Sequence, residues 1–291
     1  MLDVTRLRVL VAVARHGSVT AAAQALHYAQ PSVSHHLARL EAETGSRLVQ
    51  RAGRGIRLTE AGRVLAARAE EILGRLDAAE DELASYNGLR AGRVRLAAFP
   101  SALGTFVPLA AAGFAAAYPG VDLRFREAEP PEAVRLLRAG EVDVALLFSH
   151  LADPAPDLAG VRHEVLLDEP LHLVAPPSWA GDRLADHRER PWIGGCERCR
   201  SQLLHAAAEE GFVPDIRYTT DDYVAVQRLV AAGLGVTTLP ALALLAHRDP
   251  GVRVVELAGP GRRVLAAVHG EAPDPPATAA LLTHLRSAAP S

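Results

Sequence analysis

The sequence predicts an α + α/β fold in three parts: a small amino-terminal domain, a long helix and a large carboxy-terminal α/β domain. Three observations predict this fold. Residues 1–58 hold short amphipathic helices followed by an arginine-rich hairpin pattern, residues 59–89 read as one helix, and from residue 90 strand-like and helical segments alternate. Such alternation is typical of sheets with parallel strands that helices cover.

Residues 18–41 are predicted to form two short helices joined by a tight turn. Ser18 suits the amino-terminal cap of the first helix, whose small alanine side chains let a second helix cross closely. His27-Tyr28-Ala29 supplies the turn, and Pro31 suits the first position of the second helix because its missing N–H would be unpaired there. An apolar stripe at i, i+4 and i+7 is expected to be buried: Val33, Leu37 and Leu40.

The opposite arc of the second helix carries side chains of the kind that read base edges, on a helix whose amino end favours phosphate. An ordinary amphipathic hairpin without a nucleic-acid partner is the alternative interpretation of this segment alone. The arc consists of Pro31, Ser32, His35 and Arg39, with Gln30 and Ser34 on its flanks.

Residues 47–58 are predicted to form a short β-hairpin, a wing, with a glycine-rich tip. The wing holds four arginines in eleven residues. A loop this short cannot bury them, so they are placed to meet phosphates. Residues 1–58 carry eight arginines against three carboxylates, a net charge of +5, which leaves −8 for the rest of a chain whose total is −3. This asymmetry indicates nucleic-acid binding by the amino-terminal end.

A specific set of spacings runs through this part of the chain and continues to residue 62. It consists of Leu7, Val13, Gly17, Ser18, Ala22, Ala23, Leu26, Gln30-Pro31-Ser32-Val33-Ser34, Leu40-Glu41, Gly45, Leu48, Arg51 and Leu58-Thr59-Glu60-Ala61-Gly62. In these residues the sequence resembles the LysR-type transcriptional regulators. The resemblance implies a winged helix-turn-helix domain that binds double-stranded promoter DNA, a coiled-coil linker helix and a periplasmic-binding-protein-like effector domain. A homo-oligomer is implied as well, and RNA polymerase is a candidate partner.

The residues that the family uses against DNA correspond to Gln30, Pro31, Ser34 and His35 on the recognition helix and to Arg51 and Arg54 on the wing. One departure concerns base preference. Many relatives place Arg-Gln where this chain has His35-His36. A neutral imidazole makes a weaker guanine contact than a bidentate arginine.

The segment after the wing is predicted to be a helix from Thr59, a suitable cap, to Asn87-Gly88, a suitable stop. Its apolar residues recur at steps of seven, four and three, as in a heptad seam. Dimerisation through this seam would align two recognition helices with two half-sites of DNA. Packing of the seam onto the chain's own domains is the alternative. The seam consists of Leu65, Ile72, Leu76, Ala79, Leu83 and Tyr86.

The remaining residues, 90–291, form two successive series of strands and helices and are expected to build two subdomains with a cleft between them. We expect the chain to cross between subdomains near residues 158–163 and 264–268. Subdomain I then contains residues 92–160 and 268–291, and subdomain II contains residues 161–267. Parallel sheets bind ligands beyond the carboxyl ends of their strands, so the cleft is the expected effector site.

Several turns at strand ends offer groups that could bind a small effector, and an anionic metabolite is one candidate. Ser101 follows a strand and begins a helix, where a hydroxyl and free N–H groups form a natural anion cradle. Helix caps and turns are the alternative role for such residues. The expected effector-binding residues are Ser101, Phe148, Ser149, Gly195, Cys196, Thr220 and Thr237.

Cys196 and Cys199 form the one unusual local motif, near a helix start and beside Arg198 and Arg200. Neighbouring arginines should lower the pKa of both thiols and favour thiolate. A redox-responsive regulator that senses through this pair is therefore the alternative to simple lining of the cleft. A zinc site lacks obvious further ligands.

Other functional classes find little support in the sequence. It has no Gly-x-Ser-x-Gly elbow, phosphate loop, dinucleotide fingerprint or spaced metal ligands. We therefore expect no enzyme, no cofactor and no metal. A non-specific architectural DNA binder would not need a large acidic α/β module. With no export segment and no apolar run of membrane-spanning length, a cytoplasmic protein with reduced cysteines and no membrane contact is expected.

Overall fold

The computed structural model describes residues 2–52, 55–85, 91–150, 158–259 and 261–290. The amino-terminal domain consists of α1 (Val4–His16), α2 (Val19–Ala25), α3 (Gln30–Thr44), β1 (Val49–Ala52) and β2 (Gly55–Leu58). Ser18 caps α2 by accepting a hydrogen bond from the N–H of Ala21 at 3.4 Å, as the sequence predicts. α3 begins one residue earlier than expected, so Pro31 is its second residue, where its missing N–H is equally harmless.

The core of this domain is formed by one face of each helix. The predicted stripe of α3, Val33, Leu37 and Leu40, is buried against residues of α1 and α2. Gly17 and Gly45 end α1 and α3 in the left-handed region, at φ +63° and +64°. Glycine adopts that conformation without steric strain. The winged helix-turn-helix prediction is confirmed.

The linker helix α4 (Glu60–Ser85) spans 26 residues. Thr59 caps it, as predicted: its hydroxyl accepts a hydrogen bond from Gly62 N–H at 3.0 Å and donates one to the carbonyl of Arg47 at 2.7 Å. The side of α4 that carries Ala66 and Ala69 packs into the amino-terminal core. Tyr86 and Asn87-Gly88, expected to close the seam and the helix, lie outside the described residues.

The first half of the carboxy-terminal domain is a five-stranded sheet in the order β4-β3-β5-β12-β6. Three of its strands, β3, β4 and β5, are parallel to one another. β12 is antiparallel to both of its neighbours, β5 and β6. The strands are β3 (Arg93–Ala98), β4 (Asp122–Glu127), β5 (Val144–His150), β6 (Val161–Glu169) and β12 (Arg262–His269). The helices are α5 (Pro100–Leu103), α6 (Phe106–Ala117), α7 (Pro130–Arg138) and α11 (Pro276–Ala288). α6 and α11 cover one face and α7 the other.

The second half holds a three-stranded antiparallel sheet, β10-β7-β11, and a parallel pair, β8-β9. Its strands are β7 (Leu171–Ala175), β8 (Pro191–Gly194), β9 (Asp215–Thr219), β10 (Thr237–Pro240) and β11 (Arg253–Glu256). Its helices are a 3-10 turn (Leu184–His187), α8 (Glu197–Glu209), α9 (Tyr223–Ala231) and α10 (Ala241–Ala246). The parallel pairing that alternating strands and helices predict is thus present in β8-β9, whereas β10-β7-β11 departs from it.

Strand pairing also moves the boundary between the halves. We expected the second half to begin near residue 161, but β6 pairs with β12 in the first sheet. The chain therefore leaves the first half after Glu169 and returns at Arg262, so that all of β12 belongs to the first half. Gly104 and Thr105 separate the short helix α5 from α6.

Candidate nucleic-acid interface and ligand cleft

The amino-terminal half of α3 presents its polar arc to solvent. All six side chains of the arc are exposed: Gln30, Pro31, Ser32, Ser34, His35 and Arg39. Within the residues that the structure describes, Arg39 makes no ion pair. His36, next to His35, is half-buried instead, with its ring 6.1 Å from that of Tyr28. Of the two adjacent histidines, His35 is therefore the more exposed.

The wing is fixed to α3 by Glu41. This carboxylate accepts hydrogen bonds from the N–H groups of Leu48 at 2.8 Å and Val49 at 3.2 Å, at the start of β1. β1 and β2 pair antiparallel, with Arg51 opposite Ile56. The side chain of Arg51 and the whole of Arg54 lie outside the described part of the chain. Arg57, which the sequence analysis did not select, is exposed on β2.

A cleft lies between the two halves of the carboxy-terminal domain, at the carboxyl ends of β3 and β5. Its open space is about 60 Å³, which accommodates a few water molecules or a ligand of few atoms. Six of the seven expected effector residues line it: Ser101, Phe148, Gly195, Cys196, Thr220 and Thr237. Ser149 does not, because successive side chains of a strand point to opposite faces and Ser149 follows Phe148.

Two of these residues are engaged in the fold. The Thr237 hydroxyl donates to the carbonyl of Ile193 at 2.8 Å, which ties β10 to β8. The Ser101 hydroxyl accepts a hydrogen bond at 3.0 Å from the guanidinium of Arg262. Ser101 is thus held in place by a buried cation that the sequence analysis did not identify.

Arg262 and Glu169 form a buried ion pair at the base of the cleft, with each side chain 3% exposed. Nε and Nη2 of Arg262 lie 2.7 and 2.6 Å from Glu169 Oε1, and Glu169 Oε2 accepts from Leu242 N–H at 2.7 Å. The guanidinium carbon lies 4.9 and 4.4 Å from the centroids of the Phe99 and Phe148 rings, which themselves pack edge to face. Because Glu169 compensates its charge, Arg262 does not make the cleft strongly electropositive.

The two thiols lie against each other, with 3.0 Å between the sulfurs of Cys196 and Cys199. The hydrogen bond from Cys196 holds the pKa of Cys199 well below its ordinary value, and His150 and Arg262 act in the same direction. The pKa of Cys196 is raised, first by its hydrogen bond to Cys199 and then by burial. The expectation that both pKa values fall is therefore wrong for Cys196, because two adjacent thiols share one negative charge.

Glu129 is an unpredicted member of the cleft. Its Oε2 atom is buried without a hydrogen-bond partner among the described residues. Burial, followed by the negative charge of Cys199, raises the pKa of Glu129 to about 7. A glutamate directly before Pro130-Pro131 was the available sequence signal, but its approach to the cysteines depends on the packing of α7 against β5.

Comparison with known proteins decides the family. The LysR substrate binding domain matches residues 87–290, and the helix-turn-helix of the lysR family of bacterial regulatory proteins matches residues 4–63. The chain belongs to the LysR family of transcriptional regulators. This confirms the resemblance read from the sequence, the fold class and the expectation that the protein is not an enzyme.

Two curated relatives are similar over most of the chain. One is the RuBisCO operon transcriptional regulator of Allochromatium vinosum, 35% identical over 247 residues that cover 82% of this chain and 79% of the relative. Another is the probable hydrogen peroxide-inducible genes activator of Mycobacterium avium, 34% identical over 275 residues that cover 89% and 85% of the two chains.

The fold is also that of CbnR, a LysR family transcriptional regulator of known crystal structure. The two chains superpose with a TM-score of 0.69 at 24% identity, covering 100% of each. CbnR has also been solved in complex with its target DNA. In the described part of the present chain, no helix combines the length and apolar character needed to cross a membrane. The same residues contain no group of three or more side chains spaced to hold a metal ion.

Proposed function

We propose that this LysR-family chain is a cytoplasmic regulator that binds a pseudo-palindromic promoter site as a homo-oligomer and responds to a small effector in its cleft. The observation that carries the DNA-binding part is the exposed polar arc of α3, on a helix whose other face is buried. The surrounding domain has a net charge of +5. Base contacts from Gln30, Ser34 and His35 and phosphate contacts from the wing fit this surface. RNA polymerase is a candidate partner of the promoter-bound form.

The linker helix supports the homo-oligomer. Its apolar residues lie on two sides of the helix. On one side, Leu65 and Leu73 pack against the amino-terminal core. Ile72, Leu76 and Leu83 are 40%, 40% and 70% exposed. Packing onto the chain's own domains therefore accounts for Leu65, and the exposure of Ile72, Leu76 and Leu83 supports the proposal that these residues meet a second copy. A second copy of α4 laid along the exposed residues would remove them from water and bring two recognition helices onto one face of DNA.

Binding to selected duplexes tests the DNA-binding proposal. Duplexes are enriched from a random pool with the full-length protein, and the dissociation constant is measured for the enriched duplex and a scrambled one. We expect His35→Ala to weaken specific binding about five- to tenfold, since a base contact contributes about 1 kcal/mol or more. His205→Ala, an exposed histidine on α8, is the matched control and should change nothing. Equal binding of both duplexes by the wild type would refute the proposal.

The effector is proposed to be a small polar molecule. The cleft offers Glu129, Thr220 and Asp221 as hydrogen-bonding groups, and its one buried cation is already paired. An anionic metabolite, as expected from the sequence, would have to compete with Glu169 for Arg262. A screen of small metabolites for thermal stabilisation of the protein tests this, because a ligand of the native state raises the melting temperature. Stabilisation only by multiply charged anions would contradict it.

A redox-responsive regulator is the second candidate, and the 3.0 Å approach of two sulfurs of opposite pKa shift favours it. With hydrogen peroxide, the Cys199 thiolate attacks one oxygen and forms an S–O bond, which gives the sulfenic acid. The O–O bond breaks, and the other oxygen leaves as hydroxide, which takes a proton from solvent to become water. The Cys199 sulfenic acid is then attacked by the sulfur of Cys196, which gives up its proton as a second water leaves. The dithiol is oxidised to a disulfide and the peroxide is reduced to water.

Closing this disulfide requires the sulfurs to approach by about 1 Å, to a bond of about 2.05 Å. Treatment with hydrogen peroxide followed by mass spectrometry of the thiol-alkylated protein should show loss of both free thiols, coupled to a change in affinity for the enriched duplex. Cys196→Ser should stop at the sulfenic acid. Unchanged thiols, or unchanged DNA affinity after disulfide formation, would exclude this candidate.

A further inference from the structure

Helix α7 has one end in the cleft. Glu129, the residue before the helix, lines the cleft beside the two cysteines. Its side chain makes no capping hydrogen bond, although its backbone carbonyl accepts one from Ala133 N–H at 2.8 Å. The carboxylate of Glu129 can therefore change its charge or its partners without loss of a hydrogen bond to the helix. Its backbone passes any resulting displacement on to α7.

The other end of α7 abuts the linker helix. The turn after the helix, Ala139-Gly140, lies in backbone contact with Gly74 in the middle of α4. A methyl group placed on Gly74 would overlap the carbonyl of Ala139, and one placed on Gly140 would overlap the backbone of Gly74. The two backbones meet this closely only because both residues are glycine.

Ion pairs extend this contact to the DNA-binding domain. Glu141, just after the turn, accepts a hydrogen bond at 3.1 Å from Arg15 at the end of α1. Arg15 also donates to Glu70 of α4 at 3.1 Å. Arg135 in the last turn of α7 lies 3.5 Å from Glu141 and 4.0 Å from Glu70. The end of α7, the linker helix and α1 thus share one network of opposite charges.

The body of α7 is a short rigid connector between these ends. Its nine residues span about 13 Å. Ala133, Leu136 and Leu137 rest on the sheet through apolar contacts with Ala97, Leu147 and Ala267, among others. Apolar contacts of this kind carry no directional bonds, so α7 can shift along the sheet as a unit more easily than it can bend.

We propose that α7 couples the cleft to the DNA-binding domain: occupation of the cleft at Glu129 displaces the helix, and its far end transmits the displacement to α4 and α1 through Gly140, Arg135 and Glu141. This proposal rests on the proposed function of the cleft and names how that site regulates DNA binding. By thermodynamic reciprocity, a ligand of the cleft that alters DNA affinity by some factor must have its own affinity altered by DNA by the same factor.

A double-mutant cycle tests the coupling without a known effector. Glu129→Gln perturbs the cleft end, Glu141→Gln removes the ion pair with Arg15, and the two are combined in the full-length protein. Readouts are affinity for the enriched duplex and hydrogen exchange of α1 (Val4–His16) measured by mass spectrometry. We expect Glu129→Gln to change both readouts, with DNA affinity altered by about threefold or more, and Glu141→Gln to abolish that response.

Glu132→Gln is the matched control for the far end. Glu132 pairs with Arg135 at 2.8 Å and with Arg126 at 3.5 Å. Glu141 pairs with the same two arginines at 3.5 and 3.6 Å. Unlike Glu141, Glu132 makes no ion pair with the amino-terminal domain among the described residues. It should leave the response to Glu129→Gln intact. Equal responses to Glu129→Gln with and without Glu141→Gln, or no response at all, would overturn the coupling. Failure to distinguish enriched from scrambled duplex would instead refute the proposed function, and hydrogen exchange would still decide the coupling.

Discussion

Removing Glu169 should destabilise the effector domain severely, because it strands a buried cation. Glu169→Ala deletes Oε1, which lies 2.6–2.7 Å from two nitrogens of Arg262, and Oε2, which accepts the hydrogen bond of Leu242 N–H. Both side chains are 3% exposed, so water cannot replace the lost partner. Breaking such a pair from one side costs about 3–5 kcal/mol, and for a domain of this size the melting temperature should fall by about 6–20 °C.

The adjacent pair provides a matched control. Arg263 and Asp168 are also paired by two hydrogen bonds, at 2.7 and 2.8 Å, but their side chains are 41% and 50% exposed. Asp168→Ala should therefore cost less than about 1 kcal/mol. Replacing both buried partners, Arg262→Met with Glu169→Met, should recover much of the lost stability, since no uncompensated charge remains.

Thermal unfolding followed by circular dichroism measures all three variants. If Glu169→Ala and Asp168→Ala lowered the melting temperature equally, burial of the ion pair would not explain the loss of stability. The same conclusion would follow if the double methionine variant were less stable than Glu169→Ala.

Three further outcomes are expected. Since the folded pKa of Glu129, about 7, exceeds its ordinary 4.5, the contribution of Glu129 to the free energy of unfolding should be largest below pH 4.5 and be lost as pH rises through 7, a change of at most about 3 kcal/mol. Glu129→Gln should remove that dependence in urea unfolding. Iodoacetamide should alkylate Cys199 before Cys196 near neutral pH, as mass spectrometry of peptides can show, because only the thiolate reacts. Ile72→Glu with Leu76→Glu should convert the oligomer to smaller species in sedimentation equilibrium, since charge would then face the exposed seam.

The amino-terminal domain was predictable because its signals are local. The stripe Val33, Leu37 and Leu40 and the opposite arc follow from helical period alone, and both faces lie where the period puts them. Caps at Ser18 and Thr59 are likewise short-range hydrogen bonds. Helical periodicity could not predict the role of Glu41, because its hydrogen bonds to the wing span seven and eight residues.

The cleft was predictable only in outline. Turn residues at strand ends pointed to most of its lining, but the ion pair of Arg262 with Glu169 joins residues 93 positions apart. Charged residues are usually exposed, so a buried pair becomes evident only when β6 and β12 are aligned. β6 was assigned to the wrong half for the same reason, because its pairing with β12 is not evident in the sequence. Successive side chains of β5 point to opposite faces, so Phe148 lies in the cleft and Ser149 lies outside it.

In the proposed function, two copies of α3, held by paired linker helices, read one DNA site. Hydroxyl-radical footprinting of the full-length protein on the enriched duplex tests this most directly. We expect two protected tracts on one face of the duplex, centred about 10 base pairs or a multiple of that apart, and loss of both tracts in His35→Ala at limiting protein. A single protected tract, or uniform protection along the duplex, would contradict it.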